Sequence, residues 1–139
     1  MRLTRSGGYG IYGLLYLARR RNRDIAYVGE VSSALNISAS FLAKIFQTFV
    51  RSGILISHRG MRGGYSFARS PYDISLREVI EAAQGPIALS KCLSKGNNPC
   101  GRHHYCGLRE VLGNAQEDMK AHLESTSIGQ LVDSTRFHD

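Results

Sequence analysis

The chain has 139 residues, 42% of them apolar and 21% charged, which suits one compact domain with room for an appended dimerisation element. No apolar run approaches the roughly 18 residues that a membrane span needs. The opening Met1-Arg2-Leu3-Thr4-Arg5-Ser6 leads into no signal-peptide core, so a cytoplasmic protein is expected. The net charge of +7 is unevenly placed: residues 1–70 carry eleven Lys/Arg against Asp24 and Glu30, whereas residues 71–139 carry seven against nine acids. A basic half joined to a slightly acidic one predicts a phosphate-facing module and a second part with another task. A generally basic, solvated surface is the alternative that charge alone leaves open.

Residues 6–20 place Ile11, Leu14, Leu15 and Ala18 at the spacing of an amphipathic helix. Gly7, Gly8, Gly10 and Gly13 interrupt it, each costing about 1 kcal/mol relative to alanine inside a helix. Their number points to a loose start, or to another backbone coming close. After a basic break at 19–23, a short helix is predicted over 28–35 with Val31, Ala34 and Leu35 inward, followed by a tight turn at Asn36-Ile37. The helix over 38–52 is the clearest. Phe41, Leu42, Ile45, Phe46, Phe49 and Val50 make one face, and Ser40, Ala43, Lys44, Gln47, Thr48 and Arg51 the other. Ser38 or Ser40 is a good N-cap, and Gly53 is placed to stop the helix. Helix, short turn, helix with a polar and basic outer face is the helix-turn-helix plan, whose second helix enters the major groove.

Ile54-Leu55-Ile56 and Tyr65-Ser66-Phe67 read as two strands round a Gly- and Arg-rich connection. Directly after a recognition helix, that hairpin is a wing. Its glycines, Gly63 among them, permit positive φ and close backbone approach, while Arg59 and Arg62 can reach phosphates or the minor groove. A fourth helix opens on the capping-box pattern Ser75-Leu76-Arg77-Glu78 and ends at Gly85-Pro86. A long helix is predicted over 107–124, with Leu108, Val111, Leu112, Ala115, Met119 and Leu123 along one stripe. Such a stripe is too apolar to stand alone. It is expected to cross a symmetry mate in a homodimer, the alternative being its own domain. Ser127 to Val132 add one helical turn. The fold class is mainly α with a small β-hairpin wing: a winged helix-turn-helix plus a long C-terminal dimerisation helix. The organisation expected is a DNA-binding domain over 1–85, a cysteine loop over 86–106, a dimerisation helix and terminal turn over 107–133, and a tail over 134–139.

All three cysteines, Cys92, Cys100 and Cys106, lie within fifteen residues that also hold Gly96, Asn97, Asn98, Pro99 and Gly101. That composition is a loop. Three thiols on one loop can converge on a point, and soft thiolates suit zinc, copper(I) or an iron–sulphur cluster. An odd count in a reducing compartment argues against a disulphide framework. Zinc would take a tetrahedral Cys₃His set with His103, although the gaps lack a Cys-x-x-Cys knuckle. Free redox-sensing thiols are the third possibility, and spacing alone leaves the three open. No nucleophile–base or paired-carboxylate constellation is present, and His58, His122 and His138 are scattered, so neither an enzyme nor a small-molecule substrate is expected. An electron-transfer protein would leave the wing and the basic half unexplained.

Met1-Arg2-Leu3-Thr4, Ile37-Ser38, Gly53-Ile54-Leu55, Arg59-Gly60-x-x-Gly63-Gly64-Tyr65, Ile74-Ser75-Leu76-Arg77-Glu78-Val79, the cysteine triplet and Ser127-Ile128-Gly129-Gln130-Leu131-Val132 together resemble the IscR/NsrR/RirA family of bacterial winged-helix regulators. The resemblance covers nearly the whole chain. It implies a homodimer on partly palindromic, double-stranded promoter DNA, with a cluster, 2Fe-2S or 4Fe-4S, held by Cys92, Cys100 and Cys106. It carries DNA contact onto Ser40 and Arg59; with the outward faces read above, the candidate DNA-binding set is Ser38, Ser40, Lys44, Gln47, Arg51, Arg59, Arg62 and Gly63. The chain departs from the family at the wing tip, where Met61-Arg62 stand, and at Ala43, which replaces a recognition-helix glutamate. A ligating histidine of one branch is matched by Arg109 and a ligating aspartate of another by Gly8. The fourth ligand is therefore open: His103, His104 or Glu110, or Tyr9 or Arg5 reaching over from a partner's first helix.

Overall fold

The computed structural model describes residues 1–20, 25–60, 63–94 and 106–136. Among these there are six α-helices and a small three-stranded antiparallel sheet. They run α1 (Arg5–Arg19), β1 (Ala26–Tyr27), α2 (Val28–Leu35), α3 (Ala39–Arg51), β2 (Leu55–His58), β3 (Gly64–Phe67), α4 (Leu76–Gln84), α5 (Gly107–Glu124) and α6 (Ile128–Ser134), with single 3₁₀ turns at Pro71–Asp73 and Lys91–Leu93. This is a winged helix-turn-helix with a long helix behind it. Of the candidate DNA-binding and metal-ligating residues read from the sequence, Arg62, Cys100, His103 and His104 lie outside the described residues.

The core forms where α1 meets α3. Thr4 caps α1 by accepting the Gly7 N–H at 3.0 Å, and Leu14, Leu15 and Leu17 are buried. The glycines of α1 answer to the aromatic face of α3. A Cβ on Gly13 would lie 2.7 Å from Phe46 Cε1, and one on Gly10 would lie 2.7 Å from Phe49 Cζ. What comes close is a pair of ring edges, not a second backbone. On α3, Leu42, Ile45, Phe46 and Phe49 are buried, and Gly53 leaves the helix at φ +78°.

Two readings of local burial are corrected. In α2, Ser32 is buried and Ala34 is exposed. The buried arc runs from Val31 to Ser32 with Leu35 between them, and Ala34, about 100° from Leu35, falls outside it. The Ser32 hydroxyl donates to Gly29 O at 3.1 Å, which offsets the cost of burying it. The first wing strand begins at Leu55 and extends through Ser57 and His58, because cross-strand register decides membership: Leu55 pairs with Phe67 and His58 with Gly64. Ile54 is fully buried at the exit of α3, its N–H on Phe49 O at 2.9 Å. The sheet also has a third strand that hydrophobic pattern could not announce. Two-residue β1 pairs with β3, Ala26 opposite Tyr65 and Tyr27 opposite Gly64.

The capping box read at Ser75 is half made. Ser75 Oγ accepts the Glu78 N–H at 3.0 Å, but the Glu78 carboxylate pairs with Arg69 instead of returning. The reciprocal box stands at Ser127 and Gln130, with both bonds present at 3.0 and 2.9 Å. It opens α6 at a point where Ile128 N–H reaches Ile74 O and Leu76 N–H reaches Thr126 O. Ile128 is 0% exposed, and α6 packs on α1. The chain thus returns, after its longest helix, to the core of its first half. On α5 itself only Gln116 is buried, while Leu108 and Val111 are each 64% exposed.

Candidate DNA interface and cysteine site

Asn36, in the left-handed region at φ 55°, ends α2 and turns the chain into α3. Ser38 caps α3, its Oγ facing the Phe41 N–H at 3.5 Å and Ser40 Oγ at 3.0 Å. Ser38, Ser40, Lys44, Gln47 and Arg51 are all exposed on the side of α3 opposite the core. Lys44 forms no ion pair among the described residues, and Arg51 donates to Thr48 Oγ1 at 3.1 Å. Cations without a carboxylate partner on a helix that presents hydroxyls and amides suit a polyanion better than they suit folding. Gln47 is the exception: its Nε2 donates to the Tyr65 hydroxyl at 2.7 Å.

The wing lies beside this face. Gly63 sits at φ +56°, where a side chain would be strained, and its N–H reaches Gly60 O at 3.2 Å. Gly64 answers to packing instead: a Cβ there would run into the Ile25 side chain and lie 3.1 Å from Ala26 O. The two wing glycines therefore serve different ends, one the turn and the other the seating of β1. His58 Nε2 lies 2.6 Å from Ser66 Oγ across the strands. Arg59 follows, exposed, at the end of β2.

Cys106 and the turn that bears Cys92 both adjoin α5. Cys92 sits in the 3₁₀ turn Lys91–Leu93, whose Ser90 cap accepts the Cys92 N–H and places Oγ 3.0 Å from Cys92 Sγ. That turn is fastened to α5 at two points. Gln116 Oε1, buried within α5, accepts the Leu89 N–H at 3.0 Å. Gly113 leaves room for Leu93, whose Cδ2 would meet a Cβ there at an ordinary 3.8 Å. Cys106 is the residue from which α5 starts. Both thiols are free and half-buried. Glu110, one turn into α5, is exposed. At the far end of α5, Arg77 Nη1 lies 3.9 Å from Glu124 while its Nε holds Glu81 at 2.7 Å. The Glu81 carboxylate raises the Arg77 guanidinium further above its ordinary value. Among the described residues no three His, Cys, Asp or Glu side chains come together as a metal site, and no helix is long and apolar enough to cross a membrane.

Sequence reasoning missed the role of Tyr65, which it treated as a strand residue, and of Gln116, a polar residue beside an apolar stripe. For Gln116 the only available signal was its position on the buried side of the helix. For Tyr65 there was none, because its partner lies on another element.

A family model described as an iron-dependent transcriptional regulator, Rrf2, matches residues 3–134. Protein aau3 of Rhizobium meliloti (strain 1021) is 30% identical over 132 residues, covering 95% of this chain and 85% of that protein. The HTH-type transcriptional regulator NsrR of Shouchella clausii (strain KSM-K16) is 28% identical over 132 residues, covering 95% and 89%. Among solved structures, CymR, the global cysteine regulator of B. subtilis, superposes with a TM-score of 0.78 at 22% identity over 98% of this chain and 99% of that one. Winged-helix fold, a polar and basic outer face on the second helix of the motif and a family match over almost the full length agree: the chain belongs to the Rrf2 family of DNA-binding transcriptional regulators.

Proposed function

We propose that the chain works as a homodimer on promoter DNA and senses iron, redox or nitric oxide status through an iron–sulphur cluster held by Cys92, Cys100 and Cys106. The observation that carries this reading is the placement of two free, half-buried thiols, Cys106 at the start of α5 and Cys92 in a segment bonded to that helix through Gln116. Neither thiol is spent on a disulphide, and soft thiolates held on a rigid edge fit an iron–sulphur group. Bound there, the cluster would supply a centre that oxidants, nitric oxide or iron loss can alter. The fourth ligand is assigned to His103, His104 or Glu110 of the same chain, or to the partner's first helix.

The chain's own contribution is mechanical. A ligated loop holds residues 87–93 against α5, and α5 with its exposed Leu108 and Val111 offers the surface for a second copy. The separation of the two recognition helices is then set by how α5 sits on α4. Ser38, Ser40, Lys44, Arg51, Arg59, Arg62 and Gly63 meet the DNA, the α3 residues in the major groove and the arginines on phosphate or the minor groove. Regulation requires that the occupied site stabilise one spacing over the other.

A second reading keeps the DNA surface and replaces the cluster by free redox-sensing thiols. It is favoured by Ser90 Oγ at 3.0 Å from Cys92 Sγ, a hydroxyl already on the sulphur, and by the likeness in fold to CymR, a global cysteine regulator. Zinc on the same thiols is the remaining variant. The test is operator binding by anaerobically purified protein, by the same protein stripped of metal, and by Cys100→Ala. Unequal affinities support sensing through this loop; three equal affinities would remove it.

A further inference from the structure

We infer that Tyr65 and Gln47 form the tether that sets the wing against the recognition helix, so that Gln47 acts as a positioning residue for the DNA-reading surface; this rests on the DNA surface proposed above. A glutamine that reads adenine does so with both ends of its amide, one accepting and one donating, and must be free to present them edge-on. Gln47 is exposed on the outer face of α3, and one of its two Nε2 hydrogens goes to the Tyr65 hydroxyl at 2.7 Å, which ties the amide to the wing.

Tyr65 is built to hold that partner. It is only 6% exposed, and its ring meets the ring of Phe46 at 5.2 Å and 72°. Phe46 is the residue preceding Gln47, so β3 is attached to α3 at two adjacent positions, once by ring and once by hydroxyl. The backbone at Tyr65 is in turn fixed from both sides, by Ala26 of β1 and Ser57 of β2. Arg59 leaves β2 two residues after Ser57. Rotation of the wing about α3 would therefore have to break the Gln47–Tyr65 bond or shift a buried ring. The bond joins an amide to a hydroxyl and is no ion pair, so salt does not screen it as it screens the phosphate contacts it aligns.

The probe is a duplex DNA enriched from a random pool by the wild-type protein, together with its single-base variants. Tyr65→Phe keeps the ring and removes the hydroxyl, and Gln47→Met keeps the length and removes the amide. Each is expected to weaken binding to the enriched duplex by roughly 3- to 10-fold. The double variant should be no worse than either single, and Tyr65→Phe should leave the ranking of the base variants unchanged. A bond that only stabilised the fold would lower the melting temperature and leave the effect of Arg59→Ala untouched. A tether makes the Arg59→Ala penalty at least about 3-fold smaller in the Tyr65→Phe background. Gln47→Met re-ranking the base variants while Tyr65→Phe binds like wild type would overturn the inference and make Gln47 a base reader. A wild-type protein that enriched no sequence would instead overturn the reading of the surface, and the tether with it.

Discussion

Alanine substituted at Gly8 and at Gly13 should move stability in opposite directions, although both glycines lie in α1. In a helix interior, replacing glycine by alanine gains about 1 kcal/mol of propensity. At Gly8 nothing lies within 4 Å of the added Cβ, so that gain stands alone. At Gly13 the Cβ falls 2.7 and 2.9 Å from Phe46 Cε1 and Cζ. Phe46 is 0% exposed and cannot retreat, with Tyr65 against one side at 5.2 Å and Phe49 against another at 6.4 Å. Overpacking of that kind costs about 1–3 kcal/mol. Two contacts under 3.0 Å with a pinned ring place it near the upper end, for a net loss of about 2 kcal/mol after the propensity gain. Taking about 3–5 °C per kcal/mol for a chain of this size, Gly8→Ala raises the melting temperature by about 3–5 °C and Gly13→Ala lowers it by about 6–10 °C. Thermal denaturation followed by circular dichroism measures both. A rise at Gly13 equal to that at Gly8 would refute the claim that the α1 glycines exist to seat the rings of α3.

Ser127→Ala removes the reciprocal cap that opens α6 and should cost about 1 kcal/mol in urea denaturation, with the loss shared by α1 because Ile128 lies in the common core. Gln116→Met keeps the volume but leaves the Leu89 N–H without its acceptor. A loss of about 1–3 kcal/mol is expected, with faster amide exchange at 89–92 before any change at α3. Arg59→Ala should weaken binding to all DNA sequences and reduce the slope of log affinity against log salt by about one. An unchanged slope would take Arg59 off the phosphates.

What could be read from sequence was whatever depends on one element at a time. The bounds of α2 and α5 follow from Val31 and Leu35 and from the stripe of apolar residues after Cys106. The left-handed stop at Gly53 follows from a glycine after the last apolar turn of α3. Features joining distant elements were not legible. Strand β1 is two residues long and exists because Gly64 leaves space beside it. The capping pattern at Ser75 has the same local signature as the box at Ser127, and a salt bridge from Arg69 decides between them. Gln47 looks like any outward amide until Tyr65 arrives from 18 residues away. In the cysteine site, the loop composition announced the thiols, whereas the anchoring of Cys92 through Gln116 and Gly113 depends on α5 lying alongside, which spacing does not encode.

The central claim is that an inorganic cluster sits on these thiols. Its most direct measurement is the visible absorbance, iron content and acid-labile sulphide of the full chain purified without air, beside Cys100→Ala prepared in the same way. A coloured wild-type protein containing both iron and sulphide is expected, and a variant that has lost the colour. A colourless wild-type protein, or one carrying zinc without sulphide, would contradict it.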